Sequence, residues 1–357
     1  MSAAPDTQGA ARAPARPRVA ILIVNGFARA GRWARPDLAT ALAYPWIELC
    51  LRQIERHSRG WDYQVFVFDN SQLARHRAIM REYPRVSVTP GALLAAAGRA
   101  ARHVPQQRVS RILEYLLERK HPLALDHLAR KVPADFQYIV TLDTDSFPVR
   151  DDWLEVLVGE CERGAAVAGV YRNEMAAALH PFVHVSGLCV RRQDLRELGV
   201  SFGRDMKQDD PYNMDVGQKI TYELLARGRT IAPLHRSNEV NYHFIIGGIY
   251  GDIIYHQAAG SRRVNFWTST DNDSDEHIGT TLRDAAFRDL DQLIAILRGQ
   301  APGDLALSPW KEPRPGPSEA LQPSPTGAAE PSPSPAPEPS PSPAPERSPS
   351  QAHGGGR

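Results

Sequence analysis

The sequence predicts an α/β fold in which a mixed, mostly parallel sheet is flanked by helices. Strand-like and helix-like patterns alternate from Arg18 to Arg298. The segments "RVAILIV" (18–24) and "YQVFVFD" (63–69) have the apolar, β-branched and aromatic composition of strands buried on both faces. Between them, "YPWIELCLRQIERHS" places apolar side chains at helical spacing behind Pro45, which suits a first helical turn. Strand, helix and strand in this order form a βαβ unit, the building block of such sheets.

Further elements continue the alternation along the chain. Apolar strands are predicted at "QYIVTL", "AAVAGVY" and "FVHVSGLCV". From Ala74 to Asp135 helical spacing dominates and only the short "RVSVT" reads as a strand, so we expect an insertion of helices on one side of the sheet. Leu113, Leu116 and Leu117 would share one face of these helices.

The two ends of the chain differ in composition from the middle. After Gly299 the residues are mainly Pro, Ser, Ala and Glu, and "EPSPSPAP" occurs twice, from Glu330 and from Glu338. Such a segment cannot bury a core, so residues 299–357 are predicted to be a disordered tail, either a spacer for partners or an extension without a partner. Residues 1–17 are also predicted to be disordered, which leaves one folded domain at 18–298.

Charge and composition exclude several classes of protein. The chain has 357 residues, with 42 Lys plus Arg against 41 Asp plus Glu, so no overall field attracts nucleic acid or anionic lipid. No apolar run is long enough for a transmembrane segment, and the N-terminus lacks the apolar core of a signal peptide. We therefore expect a cytoplasmic protein with reduced cysteines, and the many Ala and Arg residues are typical of a bacterial chain.

Two aspartates follow the strand "YIVTL". Alternation along an extended backbone points the carboxylates of Asp143 and Asp145 the same way. Two like charges held close together need a counter-ion, and a hard cation such as Mg²⁺ or Mn²⁺ binds oxygen ligands of this kind and can hold substrate phosphates. The alternative is that one aspartate caps the next helix while the other is solvated.

Polar residues end two further strands of the predicted sheet. Asp69 and Asn70 follow "FVF", and Asn25 follows "AILIV". A carboxylate and an amide at this edge suit a nucleobase or ribose, so Asn25, Asp69, Asn70 and Asp143 are predicted to bind a nucleotide. The alternative is turn chemistry, which Asp-Asn-Ser and Asn-Gly also provide.

These segments carry a resemblance. "VFVFDNS" (65–71) and "YIVTLDTDSFPVRDDWLEVL" (138–157) resemble the nucleotide-binding half of the family-two glycosyltransferases, which have the Rossmann-like GT-A fold of the nucleotide-diphospho-sugar transferases. "KHPLALDHLARKV" (120–132) and "HVSGLCVRRQDLRELGVSF" (184–202) extend the likeness, which spans Arg18 to Phe266. The resemblance implies a D-x-D motif that holds a metal on the sugar-diphosphate. Two segments depart from the family pattern: the first strand ends "IVNGFAR", and the usual paired acidic residues are replaced by "YNMDVGQ".

A candidate base lies in that second segment. Val216, Ile220 and Leu224 have helical spacing, which places Asp215 near the first turn of a helix that Gly228 can end. Asp215 is predicted to take the proton from an acceptor hydroxyl, and a single base of this kind implies inversion at the sugar. The alternatives are that Asp215 only caps the helix, or that Asp209 or Asp210 is the base.

The remaining candidates complete the metal site and the substrate sites. His256 follows an apolar strand and precedes "QAAGSRR", and the resemblance implies a metal or diphosphate role for a histidine at this place. Arg262 or Arg263 is a candidate to bind the diphosphate. The alternative is a strand-end histidine bonded to the backbone, followed by solvated arginines. Ser186 and Gly187 are assigned to the acceptor side through the resemblance, and Trp153 is a candidate to stack on a sugar, unless it belongs to the core.

Together these features predict a metal-dependent, inverting glycosyltransferase. Its donor would be a nucleotide-diphospho-sugar, its cofactor Mg²⁺ or Mn²⁺, and its acceptor a hydroxyl of a glycan, a lipid-linked saccharide or another molecule. The alternatives are a sugar-phosphate nucleotidyltransferase, and a non-catalytic scaffold that binds a sugar nucleotide.

Overall fold

The structure is a computed structural model that describes residues 16–26, 45–71, 73–91, 120–173, 181–203, 215–238, 246–258 and 282–302. The predictions of disordered ends at 1–17 and 299–357 fall almost entirely outside these ranges. So do the predicted helical face at Leu113, Leu116 and Leu117 and the candidates Asp209, Asp210, Arg262 and Arg263.

A seven-stranded, mostly parallel sheet forms the centre of the described part, as the sequence predicts. In spatial order its strands are β3 (Val86–Pro90), β2 (Tyr63–Asp69), β1 (Val19–Asn25), β4 (Tyr138–Asp143), β7 (Phe182–Arg191), β6 (Val167–Arg172) and β8 (Ile231–Leu234). Only β7 runs antiparallel to its two neighbours. The carboxyl ends of β1, β2 and β4 therefore meet at one edge of the sheet, where Asn25 pairs with Asp69 and Val24 pairs with Asp143 in register.

Helices cover both faces of this sheet, and as a result every side chain of the central strand β1 is buried. The helices in chain order are α1 (Trp46–His57), α2 (Ala74–Arg81), α3 (Lys120–Lys131), α4 (Trp153–Glu162), α5 (Arg192–Glu197), α6 (Gln218–Ala226) and α7 (Leu290–Leu297). Alternate residues of β1 point to opposite faces: Val19, Ile21 and Ile23 join the core under α1, α4 and α7, and Ala20, Leu22 and Val24 join the core under α3, α5 and α6. The sheet thus separates two apolar clusters.

A second sheet has three antiparallel strands in the order β5 (Ser146–Pro148), β10 (Ile254–Ala258) and β9 (Ile246–Tyr250). It begins three residues after Asp143, so it continues the chain directly from the edge at which β4 ends. Phe147 and Tyr255 stack with ring centroids 5.0 Å apart and lie in the same core as α1 and α4.

Most predicted elements are confirmed. The strands β1, β2, β4, β6 and β7, the short edge strand β3 and the helix α1 lie where the patterns place them, with ends shifted by one or two residues. The three-residue β5 was not predicted, and His256 lies within a strand of the small sheet rather than at the end of a strand of the main one.

Two further predictions concern the chain as a whole. Cys50, Cys161 and Cys189 are free and buried, as expected of reduced thiols. Among the described residues, no helix combines the length and the apolar character that a membrane span requires.

Candidate metal and transfer site

Asp143 is the last residue of β4 and begins the turn into β5. The turn is held by Ser146, whose hydroxyl accepts from the backbone N–H of Asp143 at 2.9 Å. Beneath the turn, the thiol of Cys50 on α1 donates to the carbonyl oxygen of Ser146 at 3.3 Å. The Asp143 side chain is 19% exposed, so its carboxylate is partly accessible at this edge of the sheet.

His256 reaches the same place through the second sheet. On β10 it pairs in register with Ser146, and the N–H of Gln257 donates to the carbonyl oxygen of Asp145 at 2.9 Å. As a result, Nε2 of His256 lies 3.7 Å from Oδ2 of Asp143 and 3.9 Å from Oδ1 of Asp145. The structure therefore brings together the three residues for which the sequence predicts a metal.

His184 joins them from β7 and was not among the predicted site residues. Its ring stacks on that of His256 with centroids 5.5 Å apart, and its Nδ1 lies 4.0 Å from Oδ2 of Asp143. One ligand atom each from Asp143, His184 and His256 lie within 4.8 Å of one another. The only feature of the sequence that points to His184 as a site residue is that it is the one histidine in the buried strand "FVHVSGLCV". This feature does not show that the strand pairs with β4.

His184 also contacts the candidate base. Its Nε2 lies 3.7 Å from Oδ2 of Asp215. The backbone N–H of Ser186 donates to Nδ1 of His184 at 3.1 Å, and the Ser186 hydroxyl lies 2.9 Å from the same nitrogen. The hydrogen bond from the Ser186 N–H favours a ring that carries its proton on Nε2, facing Asp215. A ring that instead donates a proton from Nδ1 to the Ser186 hydroxyl would present the lone pair of Nε2.

Asp215 lies three residues before α6 in a fixed conformation. Its N–H donates to the side-chain oxygen of Gln218 at 2.8 Å, and its Oδ1 accepts from the N–H of Val216 at 2.7 Å. The cap position of α6 is Gly217, which makes no side-chain cap bond. The bonds of Asp215 to Val216 and Gln218 fix the turn that leads into α6, so its role as a base rather than as a residue that only fixes the helix start stays a prediction. Oδ2 of Asp215 lies 3.7 Å from Nε2 of His184. Val216, Ile220 and Leu224 are buried together, as their spacing predicts.

A third histidine approaches Asp143 from the other side. His121, in the first turn of α3, has its Nε2 3.3 Å from Oδ1 of Asp143 and is 31% exposed. It too was not predicted, although the helix that carries it was.

The charges of the two aspartates affect the buried groups around them. Burial, and then the charges of Asp145 and Asp143, raise the pKa of the Cys50 thiol far above its ordinary value. Burial and Asp145 do the same to the pKa of Tyr255, whose hydroxyl donates to Gln257. Both groups therefore stay neutral and add no negative charge to the site.

The donor set fits a divalent cation. One carboxylate and two imidazoles lie at ligand spacing, and Asp145 offers a further carboxylate beside His256. Imidazole nitrogen suits transition-metal ions, whereas Mg²⁺ prefers an all-oxygen environment. Which of the two expected ions the site would bind stays a prediction.

The predicted nucleotide residues form a separate hydrogen-bonded group at the same edge. Oδ1 of Asp69 accepts from the side chain of Asn25 at 3.0 Å and from both the N–H (3.0 Å) and the hydroxyl (2.6 Å) of Ser71. Asn25 also lies 3.3 Å from Nδ1 of His76 on α2. These bonds fix the end of β2 beside β1, and the role of Asn25, Asp69 and Asn70 toward a nucleotide stays a prediction.

The acceptor-side candidates are placed differently. Trp153 is fully buried and its indole N–H donates to Ser58 at 3.1 Å, so its ring offers no face to a sugar and the alternative assignment to the core applies. Ser186 is buried beside His184. A side chain on Gly187 would meet Val170 and Ile254, at 2.6 and 2.7 Å, so packing alone explains this glycine.

Comparison with models of known protein families gives no match, and neither does comparison with curated proteins. Solved structures similar to this chain include mannosyltransferase PcManGT from Pyrobaculum calidifontis in complex with GDP-Man and Mn²⁺, with 16% identity and a TM-score of 0.36 over 60% of this chain. The chain spans about half (52%) of the length of that mannosyltransferase.

Two other solved structures are also similar to this chain. S. aureus TarS (1-349) in complex with UDP-GlcNAc matches with 10% identity and a TM-score of 0.39, over 79% of this chain and 72% of that one. The 4-diphosphocytidyl-2C-methyl-D-erythritol synthase of Anaerococcus prevotii matches with 6% identity and a TM-score of 0.36, over 61% of this chain and 87% of that one. At TM-scores below 0.5, none of these similarities carries an argument about function.

Proposed function

We propose that the chain is a metal-dependent glycosyltransferase that moves a sugar from a nucleotide-diphosphate donor to an acceptor hydroxyl with inversion. The observation that carries the proposal is the cluster of Asp143, His184 and His256 at the carboxyl edge of the sheet, with Asp215 beside it. Ligands of open α/β sheets bind at this edge. The resemblance of "VFVFDNS" and "YIVTLDTD" to family-two glycosyltransferases gives the reaction class.

The proposal divides the site into a donor side and an acceptor side. Asp143, His184 and His256 would hold the cation, which when bound neutralises the diphosphate leaving group. The edge next to them, at Asn25, Asp69 and Asn70, would receive the nucleoside. Asp215 lies on the far side of His184 from Asp143, which separates the proposed base from the proposed leaving group.

The transfer step assigns the proton to Asp215. The acceptor oxygen forms a bond to the anomeric carbon while the bond from that carbon to the diphosphate oxygen breaks. The acceptor proton passes to the Asp215 carboxylate, and the nucleoside diphosphate leaves. Because the attacking oxygen enters opposite the leaving group, the configuration at the anomeric carbon inverts.

A panel of nucleotide sugars tests the function directly. The full-length chain is heated with each donor, with and without Mn²⁺, and the midpoint of unfolding is recorded. A donor at about 100 times its Kd stabilises the folded state by about 2.7 kcal/mol. We expect a donor to stabilise the chain beyond the effect of Mn²⁺ alone, and only when Mn²⁺ is present. The reaction should then release nucleoside diphosphate. Release of pyrophosphate from a nucleoside triphosphate would instead indicate a nucleotidyltransferase.

Replacing Asp215 tests the base. Asp215→Asn keeps the shape of the side chain but removes its basicity, so we expect transfer to fall by at least about 100-fold while donor binding is retained. Glu223→Gln is the matched control, because Glu223 lies on α6 and its carboxylate forms an ion pair with Arg227 of the same helix. Full activity of the Asn variant would refute the assignment.

A further inference from the structure

The two oxygens of the Asp143 carboxylate face different histidines. Oδ2 lies 3.7 Å from His256 and 4.0 Å from His184, on the side where the three possible metal ligands converge. Oδ1 lies 3.3 Å from Nε2 of His121. Three imidazoles from three elements, α3, β7 and β10, thus surround one carboxylate, and His121 is set apart from the other two.

His121 is held in place by the packing of its helix. Because α3 precedes β4 and returns across the face of the sheet, its first turn lies at the edge where β4 ends. Ala124, Leu125 and Leu128 of α3 are buried in the core of that face. The position of His121 is therefore fixed by apolar contacts that do not involve the site.

The ligand geometry separates His121 from the proposed metal ligands. Among the described residues, the group of atoms within 4.8 Å of one another comprises Asp143, His184 and His256 and does not include His121. A carboxylate that binds a cation through one oxygen leaves the other oxygen free to accept a hydrogen bond. Such bonds fix the orientation of a ligand and raise metal affinity.

We propose that His121 is a positioning residue for the metal centre: its ring N–H holds Oδ1 of Asp143, so that Oδ2 faces the cation. This inference rests on the proposed function, because it assumes that the cluster binds a metal. It assigns to His121 no contact with the cation or with the reacting atoms.

Metal affinity measures this role without any donor or acceptor. Mn²⁺ is titrated into the full-length chain and the free ion is followed by electron paramagnetic resonance. Removing a group that orients a metal ligand typically costs about 10–100-fold in affinity, and we expect a loss in this range for His121→Ala. His121→Gln retains an N–H donor and should recover most of the affinity.

Two controls exclude a general effect on the helix. His127→Gln changes a histidine of the same helix that packs edge-on against Phe68, 5.6 Å between ring centroids, and it should bind Mn²⁺ like the wild type. The midpoints of unfolding without metal should agree among the His121 variants, because the ring is partly exposed and the apolar face of α3 is unchanged.

The outcomes for this inference and for the proposed function are distinct. Wild-type affinity in His121→Ala, or equal losses in the Ala and Gln variants, would overturn the positioning role and leave the glycosyltransferase proposal standing. A loss in Ala that Gln restores supports the role, even if no donor is ever transferred. If the wild type binds no Mn²⁺, both the role of His121 and the metal dependence are wrong.

Discussion

Gly217 offers a sharp test of how Asp215 is held. Its φ is +83°, in the left-handed region, and a Cβ at this position would lie 2.6 Å from Cγ1 of Val185 on β7. Gly217→Ala therefore adds two penalties, backbone strain of about 1–2 kcal/mol and overpacking of about 1–3 kcal/mol. The sum is a loss of about 2–5 kcal/mol of folding stability.

Gly228 supplies the matched control at the other end of α6. Its φ is +69°, but a Cβ there would meet nothing within 4 Å, so Gly228→Ala carries only the strain. In a domain of this size each kcal/mol lowers the midpoint of thermal unfolding by roughly 2–4 °C. We expect the Gly217 variant to melt well below the Gly228 variant, and to lose transfer activity because Asp215 shifts.

A second substitution identifies the steric part of the loss. Val185→Ala removes the atom that a new Cβ would strike, and the next contacts, at 3.6 and 3.7 Å, are ordinary. In that background Gly217→Ala should cost about 1–3 kcal/mol less than in the wild type, as a double-mutant cycle would measure. Equal losses at Gly217 and Gly228, or no coupling with Val185, would refute this reasoning.

Two further predictions concern the metal and the thiols. In titrations of the full-length chain Mn²⁺ should bind more tightly than Mg²⁺, because two of the three proposed ligands are imidazoles. His184→Ala should reduce the difference in affinity between the two ions. Equal affinities of the wild type for Mn²⁺ and Mg²⁺ would contradict the proposed ligands. Burial raises the pKa of Cys50 and of Cys189, and Cys161 is also buried, so a disulfide reagent at pH 8 should label no thiol until the chain is unfolded. Rapid labelling of the folded protein would show that the core around α1 or β7 opens.

The sequence predicts the fold well because its strands are buried on both faces. Continuous apolar runs such as those of β1 and β4 can be recognised as strands without knowing which strands lie beside them. Once these strands are parallel, their carboxyl ends must lie at the same edge of the sheet. For this reason Asp143 can be placed beside Asn25 and Asp69 from the sequence.

The histidines could not all be found in this way. His184 lies in an antiparallel strand whose pairing with β4 is not visible in the pattern, and β5, which brings His256 to the site, is only three residues long. The position of His121 near the end of β4 could have been predicted, because a helix that leads into a parallel strand begins at the edge where that strand ends. The sequence alone does not show that its ring turns toward Asp143 rather than to solvent.

The small sheet determines when, during synthesis of the chain, Asp143, His184 and His256 can come together. The pairing of His256 with Ser146 joins segments more than a hundred residues apart, so His256, the last of the proposed ligands in the sequence, is synthesised only after β6, β7 and β8. A nascent chain that stops before Ile254 contains all seven strands of the large sheet but lacks His256, the third proposed ligand. Binding of a metal by the proposed site would then begin only after the segment that contains β10 has folded. The proposed activity would therefore appear late in synthesis, when the whole domain is complete.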